Sequence, residues 1–437
     1  MCIIKNLPKY IIVFVIITLI QLSVLVLSAS IPTSKIQNKM EESADYLADN
    51  QMFFFANKYD YSSKIDRYAD SILLNITYSI DWEHPMKSVM CSSYYHTDTA
   101  NENSNFYNAV YHDKAPNSNY SRYWHGSISI IRPLHIFLNI KQIYIGSAII
   151  LLFLYVTLLF FTKKYINIST CITLIIASVM TSVWYVPLSL EYTWTFVIML
   201  TASILGILLS EKNSKHIPIM FFIVGSATCY LDFLTTETIT LLIPLVMIFT
   251  FRYKNNQIKM LKDELLYMVK ISTVWLSGYA FTWLSKWTLA SLILKENVFS
   301  NALHQASYRV AGATDKLSGM SEMTQAILRN ISCIFPFSFI SKNGYVAVII
   351  FLLIAIAFLY IFKKKKTPTT LNTILCLIAV IPLVRFFVLS NHSYIHYFFT
   401  YRALISTIFC LGLLFVINFD FNFFKKKGRL PWRKKQN

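Results

Sequence analysis

Residues 344–362 read Gly-Tyr-Val-Ala-Val-Ile-Ile-Phe-Leu-Leu-Ile-Ala-Ile-Ala-Phe-Leu-Tyr-Ile-Phe, and four lysines, 363–366, follow directly. No side chain in this run is charged, and about 20 apolar residues span the hydrocarbon core of a bilayer as one α-helix. A lysine cluster at one end of such a helix marks the cytoplasmic side of the membrane. The stretch therefore predicts a transmembrane helix with a cytoplasmic C-terminal end.

Similar apolar runs recur along the whole chain. Its 437 residues are 55% hydrophobic and 14% charged, whereas soluble domains carry about 25% charged residues. This composition excludes a disordered chain and argues against a soluble multidomain enzyme. We predict an all-α, polytopic membrane protein with about ten transmembrane helices. The predicted spans cover residues 10–30, 143–162, 166–186, 195–210, 217–231, 238–251, 271–285, 344–362, 371–384 and 403–418.

The distribution of basic residues predicts how the chain is oriented. With the N-terminus inside, the short inner pieces hold 22 Lys and Arg against 4 Asp and Glu, and the outer pieces hold 18 of each. The whole net charge of +18 is then cytoplasmic, as the positive-inside rule expects. We predict a multi-pass protein of the cell membrane with both termini in the cytoplasm. Its basic clusters face anionic lipid, and no nucleic acid partner is expected.

The spans divide the chain into six parts, of which two are large outer segments. The parts are 1–30, the N-terminal tip and first span; 31–142, an outer loop; 143–285, spans two to seven; 286–343, a second outer segment; 344–418, spans eight to ten; and 419–437, a basic cytoplasmic tail. The first span is interpreted as a retained anchor, with a cleaved signal peptide as the alternative.

The first outer loop is rich in aromatic residues, which disordered segments lack. Apolar spacing predicts one helix over 36–51 and another over 65–80 that begins behind Ser62 and Ser63. We expect both helices to lie along the outer leaflet. Residues 85–121 lack periodicity and are expected to form a loop, whereas 126–140 is expected to be an interfacial or re-entrant element.

Cysteine gives little information about the fold. Cys91 and Cys333 are the two cysteines in the predicted outer segments, and a disulfide between them is one alternative where the compartment is oxidising.

A pair of carboxylates is the first candidate for chemistry. Asp66 and Asp70 are four residues apart on the predicted helix, so both side chains are expected on one face, with Arg67 between them. Such a pair suits a general base or a metal-binding pair at an outer site. The alternative is a solvated helix face on which Arg67 balances Asp70.

Two clusters of basic and aromatic residues are candidates for binding a lipid-linked phosphate and its sugar. The first contains Arg122, His125 and Arg132, with Tyr123 and Trp124 available to stack on a sugar ring. Guanidinium groups match phosphate in shape and charge. The alternative is an aromatic belt with arginines that reach toward the headgroups.

The second cluster lies at membrane depth, between the last two predicted spans. It holds Arg385, His392, His396 and Arg402 in an otherwise aromatic stretch, and ionisable groups at that depth suggest function by default. Phosphate or sugar contact, a metal site on the two histidines and a structural role all remain open. We predict that this stretch and the first outer loop line one cavity on the outer face.

Asp232 is the last candidate, in the short turn between the fifth and sixth spans. It is expected either to cap the following helix or to face the same cavity and hold a substrate hydroxyl or an arginine. The sequence has no zinc-like spacing and no glycine-rich phosphate loop. No cofactor or metal site is predicted, although a divalent metal would be compatible with the chemistry.

Four short stretches carry a family resemblance. They read Asp66-Arg67-Tyr68-Ala69-Asp70, Arg122-Tyr123-Trp124-His125-Gly126, Tyr230-Leu231-Asp232-Phe233-Leu234-Thr235 and Asn391-His392-Ser393-Tyr394-Ile395-His396. The layout resembles that of the GT-C superfamily of integral-membrane glycosyltransferases: a first span, a large outer loop with carboxylates, and about ten spans in all. The stretches also resemble those of poorly characterised polytopic proteins of low-GC Gram-positive bacteria.

The resemblance implies inverting transfer of a sugar from a polyprenyl-phosphate donor to a glycan or lipid-linked acceptor. A carboxylate would deprotonate the acceptor hydroxyl while arginine or histidine stabilises the leaving phosphate. We expect Asp70 rather than Asp66 to be the base, because Asp70 lies nearer the apolar half of its predicted helix. The alternatives are a flippase or transporter, and a polymerase or ligase, for lipid-linked glycans.

Overall fold

The computed structural model describes residues 7–311 and 319–420 and confirms an all-α architecture. The predictions that concern the tip at 1–6 and the basic residues beyond 420 lie outside these ranges. The outer segments contain shorter helices between the longer ones. The α-helices are α1 Leu7–Ala29, α2 Gln37–Ala48, α3 Tyr68–Tyr78, α4 Pro85–Cys91, α5 Glu102–Tyr111, α6 Ile128–Leu134, α7 Ile140–Tyr165, α8 Ile168–Met180, α9 Leu190–Glu211, α10 Ile217–Leu231, α11 Ile239–Lys254, α12 Leu261–Leu294, α13 Val298–Ala311, α14 Gly319–Ser332, α15 Gly344–Ile361, α16 Thr369–Val388, α17 Ser390–Ile395, α18 Tyr397–Thr400 and α19 Leu404–Asn418.

Six helical segments of the described chain are long and apolar enough to cross a membrane. They are Pro8–Ala29, Ile140–Tyr165, Leu190–Glu211, Phe337–Ile361, Thr369–Val388 and Tyr397–Asn418. The α8 and α10 helices are apolar but shorter, and α11 and α12 occupy the two remaining predicted spans. These helices together support a polytopic membrane protein.

Several predicted span boundaries need correction. The third span, predicted over 166–186, ends as an α-helix at Met180, and a 3-10 helix follows over Val183–Leu188. Ser182 has a φ of 50°, which no α-helix accommodates. The seventh span, predicted over 271–285, is the middle of the 34-residue helix α12.

The first outer segment is a folded layer and not a set of helices lying on a surface. The helix predicted over 65–80 begins only at Tyr68, since Lys64–Asp66 forms a strand, β2, that pairs antiparallel with β1, Phe53–Phe55. The loop predicted over 85–121 is wrong, because α4 and α5 lie within it, together with the strand pair β3, Ser93–Tyr94, and β4, Ser118–Asn119. The predicted element at 126–140 contains the short helix α6.

Two apolar cores hold the molecule together. One lies among helices α8 to α11, α16 and α19. The other joins the first outer segment, including α6, to α1, α10 and α12. Cys91 and Cys333 are both free thiols in the described chain, so the alternative of a disulfide between them is not realised.

Helices α10 and α12 approach closely at two glycines. A Cβ added to Gly225 would lie 2.0 Å from the carbonyl oxygen of Trp275, and one added to Gly278 would lie 2.1 Å from that of Phe222. Small residues at helix interfaces allow such backbone contact in membrane proteins. The contact fixes α10, whose C-terminal end leads to the turn containing Asp232.

Candidate functional site

The structure contains a cavity of about 460 Å³ lined by both regions that the sequence predicted, the first outer segment and the stretch 385–402. Its wall consists of Met52, Phe53, Asp66, Tyr68, Ala69, Ile72, Leu73, Ile76, Tyr94, Asn119, Tyr120, Arg122, Tyr123, His125, Glu191, Phe233, Arg309, His392, His396 and Phe399. Acidic and basic side chains therefore line one cavity together with aromatic rings.

Asp66 is the carboxylate that the first outer segment places on this wall. The β1–β2 register sets it opposite Phe53, another wall residue, and its side chain is 3% exposed. Its Oδ1 accepts a hydrogen bond from the Ala69 amide at 3.2 Å. Burial raises the pKa of Asp66 to about 7, because a desolvated carboxyl resists ionisation.

Asp70 does not share this position, so the prediction that both carboxylates lie on one helix face is wrong. Its carboxylate is fully buried and accepts hydrogen bonds from Tyr144 Oη at 2.5 Å, from Ser189 Oγ at 3.0 Å and from the Leu190 amide at 2.9 Å. Arg67 Nη1 lies 3.9 Å away. Burial raises the pKa of Asp70, and the charge of Arg67 opposes that shift. The Asp70 carboxylate thus binds α3 to α7 and α9.

Glu191 is a second cavity carboxylate that the sequence analysis did not select. It lies in the first turn of α9 and is 8% exposed. Its Oε2 has no hydrogen-bond partner among the described residues. A carboxylate is favoured at a helix N-terminus. The signal in the sequence that could have identified Glu191 is an acidic residue at the beginning of an apolar span.

The Arg122 side of the cavity is aromatic. The guanidinium lies 4.2 Å from the ring centroid of Tyr120 and 5.5 Å from that of Tyr123, distances typical of cation–π contacts. Trp124 is not on the wall, contrary to the expectation that it could stack on a sugar. It is buried, and its Nε1 donates to the Thr282 carbonyl at 2.7 Å.

His125 reaches the wall through an unusual backbone conformation. Its φ is 51°, and the following Gly126 lies so close to Tyr230 that an added Cβ would be 2.4 Å from that ring. His125 Nε2 donates to the Tyr120 carbonyl at 3.1 Å. Burial lowers the pKa of His125 to about 3, so the ring is neutral at neutral pH and its Nδ1 is an acceptor.

His392, His396 and Arg309 form the third side. A guanidinium only donates, so the 3.3 Å contact of Arg309 Nη1 with His396 Nε2 makes Nε2 the acceptor and leaves the proton on Nδ1. Within the described chain, Nδ1 of both histidines lacks a hydrogen-bond partner. Burial lowers the pKa of His396 to about 3 and that of His392 well below its ordinary value. This side offers a guanidinium and neutral imidazoles.

Two predicted binding residues, Arg385 and Asp232, lie away from the cavity wall and have structural partners. Arg385 Nε donates to Glu237 at 3.0 Å, and its Nη1 donates to Ser393 Oγ at 3.1 Å. Asp232 accepts from the Thr235 hydroxyl at 2.5 Å and from its amide. It therefore closes its own turn and does not cap α11, which begins later, at Ile239.

The other two, Arg132 and Arg402, are also buried outside the wall. Arg132 donates to the carbonyls of Thr77 and Ile31 and so ties α6 to α3 and to the residues that follow α1. Arg402 donates to the Phe398 carbonyl at 3.2 Å and lies 5.1 Å from the Tyr192 ring centroid.

Metal-ligating groups are sparse in the described chain. Across residues 7–311 and 319–420, no three His, Cys, Asp or Glu side chains come together in a way that would hold a metal ion.

Comparison with known proteins returns no match, whether with family models, curated proteins or solved structures.

Proposed function

We propose that the protein is a membrane glycosyltransferase that moves a sugar from a polyprenyl-phosphate donor to a cell-envelope glycan on the outer face of the membrane. One observation carries the proposal. A single cavity contains two carboxylates, Asp66 and Glu191, together with two arginines, three neutral histidines and a wall of aromatic rings.

In the proposed reaction, Asp66 takes the proton of the acceptor hydroxyl. The hydroxyl oxygen then bonds to the anomeric carbon of the donor sugar, and the bond from that carbon to the phosphate oxygen breaks with its electron pair. A pKa of about 7 suits this role, because a general base works best when its pKa lies near the operating pH. Asp66 replaces Asp70 in this role, since Asp66 lines the cavity.

The phosphate would bind at the side formed by Arg309, His392 and His396. Departure of the phosphate develops negative charge, which fixed donors in a water-poor site stabilise strongly. Arg309 supplies a guanidinium that donates to His396 Nε2 at 3.3 Å, and the Nδ1–H of His396 has no partner among the described residues. Arg309 therefore supplies positive charge, and His396 supplies a further donor.

The sugar would stack against the aromatic side. Tyr120 and Tyr123 have ring centroids 5.3 Å apart at an interplanar angle of 86°, so the two rings present differently oriented surfaces to the cavity. Arg122 lies against both rings and adds hydrogen-bond donors for sugar hydroxyls.

An experiment on purified protein distinguishes a transferase from a flippase. The protein in nanodiscs is given tritium-labelled polyprenyl-phosphate hexoses and an extract of envelope glycan. A transferase releases polyprenyl phosphate and moves the label to the glycan. In liposomes, a flippase instead moves the intact donor between leaflets. Movement of the donor without cleavage would contradict the proposal.

A further inference from the structure

The cavity carboxylate Glu191 has a neighbouring segment, Leu188–Leu190, that is held from outside the cavity. Glu191 Oε2 has no hydrogen-bond partner among the described residues, so no hydrogen bond to that oxygen fixes the side chain. The preceding residues are bound by side chains of the first outer segment.

Asp70 supplies the main contacts to this segment. Its Oδ1 accepts from Ser189 Oγ at 3.0 Å and from the Leu190 amide at 2.9 Å. The Leu190 amide belongs to the first turn of α9, where an intrahelical partner is lacking. The Asp70 carboxylate therefore caps α9 from another helix, one residue before Glu191.

Arg67 and Tyr144 add further contacts to the same segment and to Asp70. Arg67 Nη1 donates to the Leu188 carbonyl at 2.7 Å, and its guanidinium lies 4.4 Å from the ring centroid of Tyr144. Tyr144 in turn donates to the second oxygen of Asp70. The stretch 66–70, which carries Asp66 on the cavity wall, thus also binds the segment that leads to Glu191.

We propose that Asp70 is a positioning residue that, with Arg67, fixes the first turn of α9 and so keeps the carboxylate of Glu191 on the cavity wall with that of Asp66. The effect of this positioning on turnover rests on the proposed function. Glu191 then acts as a second acceptor for substrate hydroxyls, and Asp70 acts only through it.

The choice of substitution separates positioning from catalysis. Asp70→Asn keeps an amide oxygen that can accept from the Leu190 amide, and the hydroxyl of Tyr144 can turn to accept from the new NH₂ group. Asp70→Ala removes both interactions. We expect Asp70→Asn to keep most of the wild-type kcat, and Asp70→Ala to lose about 10²-fold in kcat with little change in the donor KM, as small misplacements of reacting groups do. A loss in Asp70→Asn as large as that in Asp66→Asn would overturn the proposal, whether or not Asp70→Ala folds.

A second readout does not depend on turnover. Purified wild-type protein, Asp70→Asn and Asp70→Ala are treated with dicyclohexylcarbodiimide, and labelling of Glu191 is quantified by mass spectrometry. Ser189→Ala, which loses one contact and keeps the Leu190 amide bond, is the matched control. We expect Asp70→Asn and Ser189→Ala to label Glu191 as the wild type does, and Asp70→Ala to differ. Equal labelling in folded Asp70→Ala would overturn the positioning role. If the wild type shows no transfer, the proposed function fails while this comparison still decides the inference.

Discussion

Asp66 is the residue on which the proposed chemistry depends, and its burial has a consequence for pH. Its pKa of about 7 in the folded protein lies above the ordinary value of 3.8. Between these values the folded protein binds a proton that the unfolded chain releases, so this group makes the protein less stable as the pH rises through that range. The same ionisation would create the proposed base.

Turnover should therefore rise as the pH increases through about 7. Below that pH, Asp66 is protonated and cannot accept the hydroxyl proton. The imidazoles of His125 and His396, with pKa values of about 3, stay neutral throughout and add no second limb near neutrality. A pH–rate profile of kcat/KM measures this. A profile that is flat between pH values one unit below and one unit above the midpoint would contradict the role of Asp66.

Arg309 should dominate binding of the phosphate group. We expect Arg309→Gln to weaken binding of geranyl phosphate about 10- to 100-fold, since hydrogen bonds to charged groups contribute about 1.5–3 kcal/mol. Titration calorimetry in detergent measures the affinity. Arg329→Gln is the control, because Arg329 donates to the Tyr394 carbonyl at 3.0 Å and is not a wall residue. Equal affinities in wild type and Arg309→Gln would place the phosphate elsewhere.

At the scale of elements, the long helices follow from composition, and the local geometry of the first outer segment does not. Runs such as 344–362 need only length and apolarity to be recognised. The start of α3 depends on pairing of β2 with β1, whose residues are about ten positions earlier, and apolar spacing does not detect such pairing. That pairing takes Asp66 out of the helix. Because helical spacing alone does not show the pairing, the sequence grouped Asp66 with Asp70.

The contact between α10 and α12 should tolerate no added side chain. In Gly278→Ala the new Cβ would meet the Phe222 carbonyl oxygen, which belongs to backbone and cannot move aside. Overpacking costs about 1–3 kcal/mol, so the Tm in detergent should fall. Gly146→Ala is the control, because a Cβ there meets nothing within 4 Å. Equal melting temperatures for the two variants would show that the helices are not in backbone contact.

At the scale of the whole molecule, the site assembles from distant parts of the chain. The basic and aromatic clusters around 122–125 and 392–396 were recognisable because ionisable residues interrupt apolar sequence. Glu191 and Arg309 were missed as site residues, since neither has another charged residue close to it on its helix, and only packing shows that it faces the cavity. Arg132 and Arg385 show the reverse case, in which buried arginines bind carbonyls or a carboxylate of the protein itself.

The orientation of the whole chain is a separate prediction. Lys363–Lys366 should be cytoplasmic because the inner pieces carry the entire surplus of basic residues. A reporter fused after Lys366 should therefore report the cytoplasm, and one inserted near Asn101 should report the outer side. The opposite result at either position would invert the topology and place the cavity on the cytoplasmic side.

The rate of sugar transfer by Asp66→Asn tests the central claim most directly. The variant and the wild type are compared in nanodiscs under the same donor and acceptor, with folding checked by their elution profiles. Loss of a general base costs about 10²–10⁴-fold in rate, so Asp66→Asn should release almost no polyprenyl phosphate while it still binds geranyl phosphate. Wild-type turnover in Asp66→Asn would show that the cavity carboxylate is not the base and would contradict the account.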